Sequence, residues 1–237
     1  MIITYYGHSC FAIMVNGKKL LFDPSITGNP LAKDIELKAV EADYVLISHG
    51  HNDHIADAVE IALRTKATIV CNGEIARWME KQGVSNIHEM NIGGKWKFDF
   101  GYVKCVIALH SSSMDDGTYG GNPMGFIIES SEQDFYYSGD TALTYDMKLI
   151  GEYRKVDFAF LCIGDNYTMS VDNAIIASDF IKCDKIIGMH YDTFKEIKID
   201  KKIATDKFRH AGKELILIEV GASLEIINES KVSFNKS

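Results

Sequence analysis

The sequence predicts a layered α/β fold, and three features carry that expectation. Short apolar runs alternate with segments of helical spacing, the rhythm of sheets packed beneath helices. Strand-like runs end repeatedly in polar residues able to bind a metal, namely His49, His110, Asp140 and His190, so one edge of a sheet can gather them. At 237 residues, 46% hydrophobic and 24% charged, the chain is long enough for one large core, read here as a single domain over 1–237.

The stretch from Ile2 to Phe22 alternates around Asn16-Gly17, a type I′ turn signal, and reads as a β-hairpin that stops at Asp23-Pro24. A loop with Gly28, Asn29 and Pro30 follows. Tyr44 to Ser48 reads as a buried strand, and Ile55 to Arg64 as a helix capped by Asn52 or Asp53. Ala67 to Cys71 is then a strand and Glu74 to Lys81 a helix, with Gly93-Gly94 punctuating the next segment. Tyr102 to Leu109 is strand-like, and the glycine-rich stretch from Gly117 to Pro123 has the character of a mobile loop. Gly125 to Glu129 and Phe135 to Ser138 form a second hairpin candidate that delivers Gly139-Asp140-Thr141 at its end. Asp157 to Ile163 reads as a strand, Asp172 to Ile181 as a helix, Lys185 to Met189 as a strand and Lys201 to His210 as a helix. Glu214 to Val220 and Ser223 to Ile227 close the chain as strands. The two halves share this order of elements without a repeat in the letters.

His49-Gly50-His51-Asn52-Asp53-His54 places three of the eight histidines and a carboxylate within six residues, directly after an apolar run. In extended backbone alternate side chains share a face, so His49, His51 and Asp53 are expected to point the same way. The turn into the following helix swings His54 towards an adjacent position, and one loop can serve two ions. His88 and His210 stand singly in polar surroundings and read as solvated. The five cysteines, Cys10, Cys71, Cys105, Cys162 and Cys183, form no CxxC pair, which argues against a zinc finger and for small buried apolar residues.

A formal net charge of −8, spread along the chain, gives no broad attraction to DNA, RNA or anionic lipid. The expected partner is a small-molecule substrate, not nucleic acid and not a membrane. No run of about eighteen apolar residues is present to span a bilayer. Scattered, odd-numbered cysteines and the lack of a secretory signal point to the cytoplasm. Folding at this size does not require a homo-oligomer, and the composition leaves one open.

HxHxDH after a strand, then His110, then Ser138-Gly139-Asp140-Thr141, then His190, resembles the metallo-β-lactamase superfamily pattern in order and spacing over nearly the whole chain. More narrowly, Gly7-His8-Ser9-Cys10-Phe11, Phe22-Asp23-Pro24, Thr27-Gly28-Asn29-Pro30, His110-Ser111-Ser112-Ser113, Tyr167-Thr168-Met169 and His190-Tyr191-Asp192-Thr193-Phe194 resemble the metal-dependent hydrolases related to L-ascorbate 6-phosphate lactonase. The resemblance implies a four-layer αββα sandwich, the metallo-β-lactamase fold, with the metal site at one edge of the two sheets. It implies that His49, His51 and His110 hold a first ion and Asp53, His54 and His190 a second, with Asp140 bridging. Two departures bear on loop shape: Ser170-Val171 stands where a glycine is expected after the Thr-Met pair, and Gly188 where proline is usual before the last histidine.

Imidazole and carboxylate donors without thiolate suit two divalent metal ions, Zn or Mn first, with Fe or Ni compatible. Two cations about 3.5 to 4 Å apart can share a water, lower its pKa towards about 7 and polarise the bond under attack. The expected activity is therefore that of a dinuclear hydrolase, with a metal-bridging hydroxide attacking a small polar ester, lactone or phosphodiester while the catalytic Asp53 holds its proton. His8 is a second catalytic candidate, as proton donor to the leaving group, with a partner to a ligand or a buried structural histidine as its other readings. Asp23 receives a ligand histidine's second N–H or serves as a turn residue. Ser111, Ser112, Ser113, Asn166, Thr168, Tyr191 and Thr193 line the substrate pocket or else face solvent and turns. A phosphodiesterase or nuclease of the same fold fits an acidic chain poorly, and the chain is too short for the extra domain of RNA-processing relatives. A flavodiiron-type redox enzyme resembles HxExD in the first loop, where this chain has His51. A non-catalytic metal-binding module should have lost a ligand, and none is missing.

Overall fold

Leu20, Leu21 and Phe22 are all fully buried although a strand turns successive side chains to opposite faces, so the sheet that holds them must be covered on both sides. The computed structural model, which describes residues 1–227, shows what covers it. Leu20 and Phe22 join the core between two sheets, and Leu21 joins a separate core beneath helices.

The first sheet is built from β1 (Ile2–Gly7), β2 (Cys10–Val15), β3 (Lys18–Phe22), β4 (Tyr44–Leu46), β5 (Thr68–Cys71) and β6 (Ile87–Glu89). The second contains β7 (Lys95–Phe98), β8 (Gly101–Ile107), β9 (Met124–Glu129), β10 (Phe135–Tyr137), β11 (Phe158–Cys162), β12 (Lys185–Met189) and β13 (Glu214–Ile216). A last strand, β14 (Ser223–Glu225), returns to pair antiparallel with β1, making seven strands in each sheet. Each sheet runs antiparallel on one side and parallel on the other. That shared plan is the likeness of order between the halves.

Helices α1 (Asn52–Ile55), α2 (Ala58–Thr65) and α3 (Gly73–Lys81) follow strands of the first sheet, and α4 (Met147–Tyr153), α5 (Val171–Phe180) and α6 (Lys201–His210) follow strands of the second. Ile61, Ala62, Ile75 and Met79 pack with Val45, Ile47 and Ile69 on the outer face of the first sheet. Ile150, Ala174, Ala177 and Phe208 do the same for the second. The result is the four-layer αββα sandwich. Between the sheets, Phe11 meets Phe160 with ring centroids 4.7 Å apart, and Phe22 meets Tyr137 at 4.8 Å.

Several local expectations are corrected. The opening segment is a three-stranded meander rather than one hairpin: Asn16 and Gly17 do make the turn, both with positive φ, but His8 and Ser9 reverse the chain once more between β1 and β2. The helix expected over Ile55 to Arg64 is two, because Asp57 leaves helical register at α2's start, gives its N–H to Pro24 O and accepts those of Ile26 and Thr27. The cap of α1 is His51, and Asn52 and Asp53 lie inside its first turn. Strands β6 and β7 and helix α4 were not expected from the pattern, being short or largely exposed. The two departures from the narrower family have local uses. Ser170 caps α5 by accepting the Asn173 N–H, and a side chain at Gly188 would collide with Ile163 and Leu217. All five cysteines are buried and unpaired, and among the described residues no helix is long and apolar enough to cross a membrane.

Phe160 is fully buried and touches rings of both sheets. Phe160→Ala is expected to cost about 3–5 kcal/mol of stability, read as a lower urea midpoint at unchanged slope.

Candidate metal centre

Four chain segments that leave strand ends meet at one rim of the sandwich: His49–His54 after β4, His110 after β8, Asp140 after β10 and His190 after β12. A fifth, the His8-Ser9 reversal after β1, joins them. The segments are tied to one another by backbone. The Leu109 N–H donates to Thr141 Oγ1 at 3.0 Å, the Gly50 N–H to Ser112 Oγ at 3.0 Å, and the His190 N–H to His8 O at 2.8 Å. Gly139 precedes Asp140 with φ +58°, and a Cβ there would sit 2.8 Å from Ser48 Cβ, so only glycine lets the two loops approach this closely. His8, Asp23 and His190 also adopt positive φ, at 56°, 41° and 56°. Such strain costs about 1–3 kcal/mol per residue and persists where the surroundings over-determine it.

The nitrogens and oxygens fall into two main groups, and a third, Asp23 with His49 and His54, overlaps both. His49, His51 and His110 can each present a nitrogen with all three atoms within 4.8 Å of one another, and so can His54 and His190 with an oxygen of Asp53 and a nitrogen of His8. The shortest approach in the first group is His49 Nε2 to His51 Nδ1, 3.0 Å. Asp140 stands between the groups: its Oδ2 lies 2.9 Å from His190 Nε2, 3.3 Å from His54 Nε2 and 3.6 Å from His110 Nε2.

Neighbouring acceptors set which ring nitrogen carries the proton. Asp23 is wholly buried and takes the Ser48 N–H, the Ser48 hydroxyl, the Tyr137 hydroxyl and His54 Nδ1 at 2.6–2.8 Å. Since the Ser48 hydroxyl is already given to Asp23, His49 Nδ1 must donate to Ser48 Oγ, 2.9 Å away. The lone pair of His49 Nε2 therefore faces inward, and His54, anchored through Nδ1 on Asp23, turns its Nε2 to the same side, the arrangement that a ligating imidazole with an anchored second nitrogen shows. Ser111 Oγ lies 3.3 Å from His51 Nε2 and steadies that ring.

Burial first, then the nearby His54, holds His49 well below the ordinary histidine value; burial likewise lowers His51 and His110. These rings are neutral at neutral pH and open to a cation. Burial also disfavours charge on His54, but Asp140 and Asp23 on either side outweigh it and raise its pKa well above the ordinary value. Asp140 is lowered well below the carboxylate range, its burial overcome by His190 and His54. Asp53 is lowered too, by His54 and the His8 hydrogen bond acting against burial. For His8, burial and then His190 bring the pKa down to about 4, so it stays neutral. Its Nε2 faces Asp53 Oδ2 at 3.0 Å and must donate, which leaves Nδ1 to accept from Thr193 Oγ1 at 2.9 Å.

The donor set fits divalent cations. It holds only imidazole and carboxylate, and Asp140 Oδ1, His54 Nε2 and His190 Nδ1 are buried without a hydrogen bond. Polar atoms so placed cost about 1–3 kcal/mol each unless something else satisfies them, and a cation between the two groups would engage the first two.

The other residues singled out in the sequence are dispersed. Thr193 is at the site; Ser112 is spent on Gly50, Ser113 is exposed and bridges Tyr119, and Asn166 is exposed in a turn. Tyr191 packs into the core, and Thr168 Oγ1 is buried without a hydrogen bond. His88 stacks on Trp96 at the far sheet edges, and His210 ends α6. A cavity of about 170 Å³ opens onto His8 and Asp53 and is walled by Ser25, Thr27, Asn29, Asn52 and Phe194; Thr27 and Asn29 stand in the Thr27-Gly28-Asn29-Pro30 motif, and Asn52 and Phe194 within the first and last histidine motifs. A larger, mostly apolar cavity of about 430 Å³ lies between α4 and the outer face of β8 and β9, lined by none of the site residues.

Comparison with known proteins shows the family. Residues 18–191 match the model of the beta-lactamase superfamily domain. The chain is 54% identical over 226 residues to a UPF0173 metal-dependent hydrolase of Flavobacterium johnsoniae, covering 95% of this chain and 100% of that one. It is similar to the structure of Igni18, a metallo hydrolase from Ignicoccus hospitalis, with TM-score 0.85, 36% identity and coverage of 95% and 98%. An isothiocyanate hydrolase from Delia radicum gut bacteria shares the fold at TM-score 0.76 and 16% identity, with coverage of 96% and 99%. The chain thus belongs to the metallo-β-lactamase superfamily and, within it, to the UPF0173 metal-dependent hydrolases.

Asp23→Asn keeps the volume but replaces an acceptor with a donor among four donors, and is expected to cost about 3–5 kcal/mol in chemical denaturation. A cation must displace the proton that Asp140 and Asp23 hold on His54. Metal binding at pH 7.5 is therefore expected to release protons, seen calorimetrically as an enthalpy that varies with the buffer's ionisation enthalpy; no variation would mean His54 is uncharged beforehand.

Proposed function

We propose that the site is dinuclear and hydrolyses a small polar ester, lactone or phosphodiester. His49, His51 and His110 would hold one cation, Asp53, His54 and His190 the other, and Asp140 both. The observation that carries this reading is the position of Asp140, one buried carboxylate reaching histidine nitrogens of both groups while its second oxygen has no partner. When bound, such cations acidify water and draw charge from the carbonyl or phosphoryl oxygen under attack, with Zn or Mn the best match to the donors.

The chain's own residues do the orienting. Asp53 is kept ionised and is fixed through Oδ2 by the His8 N–H, so its other oxygen is left to accept the attacking water's proton. His8 acts as a positioning residue here, since a ring neutral down to about pH 4 carries no spare proton for a leaving group. Thr193 in turn fixes the His8 tautomer. Asp23 and Ser48 hold His54 and His49 with their Nε2 atoms inward, so the rings need no reorientation when the substrate arrives.

Asp140→Asn is expected to lower bound metal by at least one ion per chain and turnover by about 10²-fold or more. His88→Ala and His210→Ala should leave both unchanged. Elemental analysis with a hydrolase panel run for each candidate ion checks this, and full metal content with wild-type turnover in Asp140→Asn would remove the dinuclear assignment. His8→Gln, whose amide can still donate to Asp53, should retain activity that His8→Ala loses through kcat; equal loss in both would assign His8 another role.

A further inference from the structure

A cavity of about 430 Å³ separates α4 from the outer face of β8 and β9. Ile92, Val106, Ile107, Ile127, Leu149 and Ile150 line it with branched aliphatic side chains. Ile107 is 38% and Leu149 62% exposed, so this apolar surface stands open to water. A volume of this size, aliphatic walls and a few polar groups are the make-up of a small-molecule site. The polar groups stand at its two ends. β8 runs towards the metal rim and α4 away from it, so Asp146 and Ile107 share the rim end. Lys104 and Tyr153 share the other, with the ammonium 5.5 Å from the ring centroid. Asp146 is engaged by Thr144 Oγ1 at 3.0 Å. Lys104 donates to Gly93 O at 2.6 Å and, among the described residues, forms no ion pair. Glu129, bonded to the Tyr153 hydroxyl at that end, is already paired with Lys95 and Arg154. Lys97, 5.9 Å from the Tyr102 ring centroid, adds a second ammonium without an acid on the same face. On a chain of formal net charge −8, this end of the cavity is locally cationic.

We infer that this cavity binds a free single-chain aliphatic carboxylate, with its tail between β8 and α4 and its head at Lys104. The site stands apart from the hydrolytic reaction, since no residue of the metal centre lines it. Length agrees. From Lys104 to Ile107 the strand advances about 10 Å, and from Asp146 to Tyr153 the helix advances about as much. A staggered hydrocarbon gains about 1.3 Å per carbon, so the walls match a tail of roughly eight to ten carbons. Charge sets the head. An ammonium is a point charge, and one that lacks an acid is offset by a carboxylate, left as it is by an alcohol and opposed by a quaternary ammonium. The Lys104 stem is held against the Tyr153 ring, which keeps the charge at the mouth of the cavity. Sugars and nucleotides fit poorly, because aliphatic walls return none of the hydrogen bonds that their hydroxyls and amides would lose to water.

The test is calorimetric titration of the metal-loaded full-length protein with decanoate, decanol and decyltrimethylammonium, each below its micelle threshold. Decanoate is expected to bind once per chain and at least tenfold more tightly than either of the others. Lys104→Gln, whose amide can still donate to Gly93 O, should bring decanoate down to the level of decanol and leave decanol unchanged. Leu149→Glu, at an exposed helix position, should weaken both at least tenfold. Ligand-free urea midpoints equal to that of the unaltered protein show that the two variants fold. Decanoate held equally tightly by both variants is bound elsewhere, at the metal ions above all, and overturns the inference. Equal binding of all three amphiphiles, or binding of none, does the same. Sedimentation of the unliganded protein is followed alongside: a dimer that takes up no decanoate and dissociates on Leu149→Glu would give this face to a second copy of the chain, and so also overturns it.

Discussion

The buried carboxylate of Asp23 is the interaction on which the rest of the site depends. It ends β3 in a strained left-handed conformation and collects donors from the loop after β4, from α1 and from Tyr137 on the opposite sheet. An isolated carboxylate in such a place would cost several kcal/mol, and four short hydrogen bonds are what make it tolerable. Those bonds also fasten the two sheets together at the rim. The metal centre's geometry and the sandwich's closure are thus parts of one network, and neither can relax without the other.

From that network a gradient of charge runs towards the cavity. His54 lies between Asp23 and Asp140 and takes a proton from their combined field, while His49, His51 and His110, less well supplied with carboxylates, stay neutral. Asp140 has an oxygen with no donor, and His54 and His190 each have a buried nitrogen in the same condition. A protein interior is rarely left in this state. The imbalance, together with the positive φ at His8, Asp23 and His190, is a local cost that a divalent cation would offset.

The cavity beside Asp53 differs in kind from the molecule's larger one. Its walls carry the Asp53 carboxylate among hydroxyls and amides, and it is much smaller than the apolar cavity behind α4.

Much of this was legible in the letters, for identifiable reasons. His49 to His54 is dense enough that periodicity alone marks it, and Asn16-Gly17 names its own turn. Alternating apolar strands and helical segments report layers because burial on both faces leaves runs such as Leu20-Leu21-Phe22. The break at Asp57 was not legible, because the residue reads as an ordinary polar position within a helical pattern and only its contacts with Ile26 and Thr27 show why the helix stops. The extended-backbone argument for His49, His51 and Asp53 also failed for Asp53, which belongs to α1.

What the sequence determined by itself was the layered class, the chemistry of the donors and their order along the chain, since these follow from residue type and period. Tertiary structure alone decided that Asp140 stands between two histidine groups, that Tyr137 crosses from the second sheet to Asp23, that His8 meets Asp53, and that a small cavity opens onto both. Each of these depends on distances between residues from tens to more than a hundred positions apart, and a one-dimensional pattern carries no record of which strand ends come to share a rim.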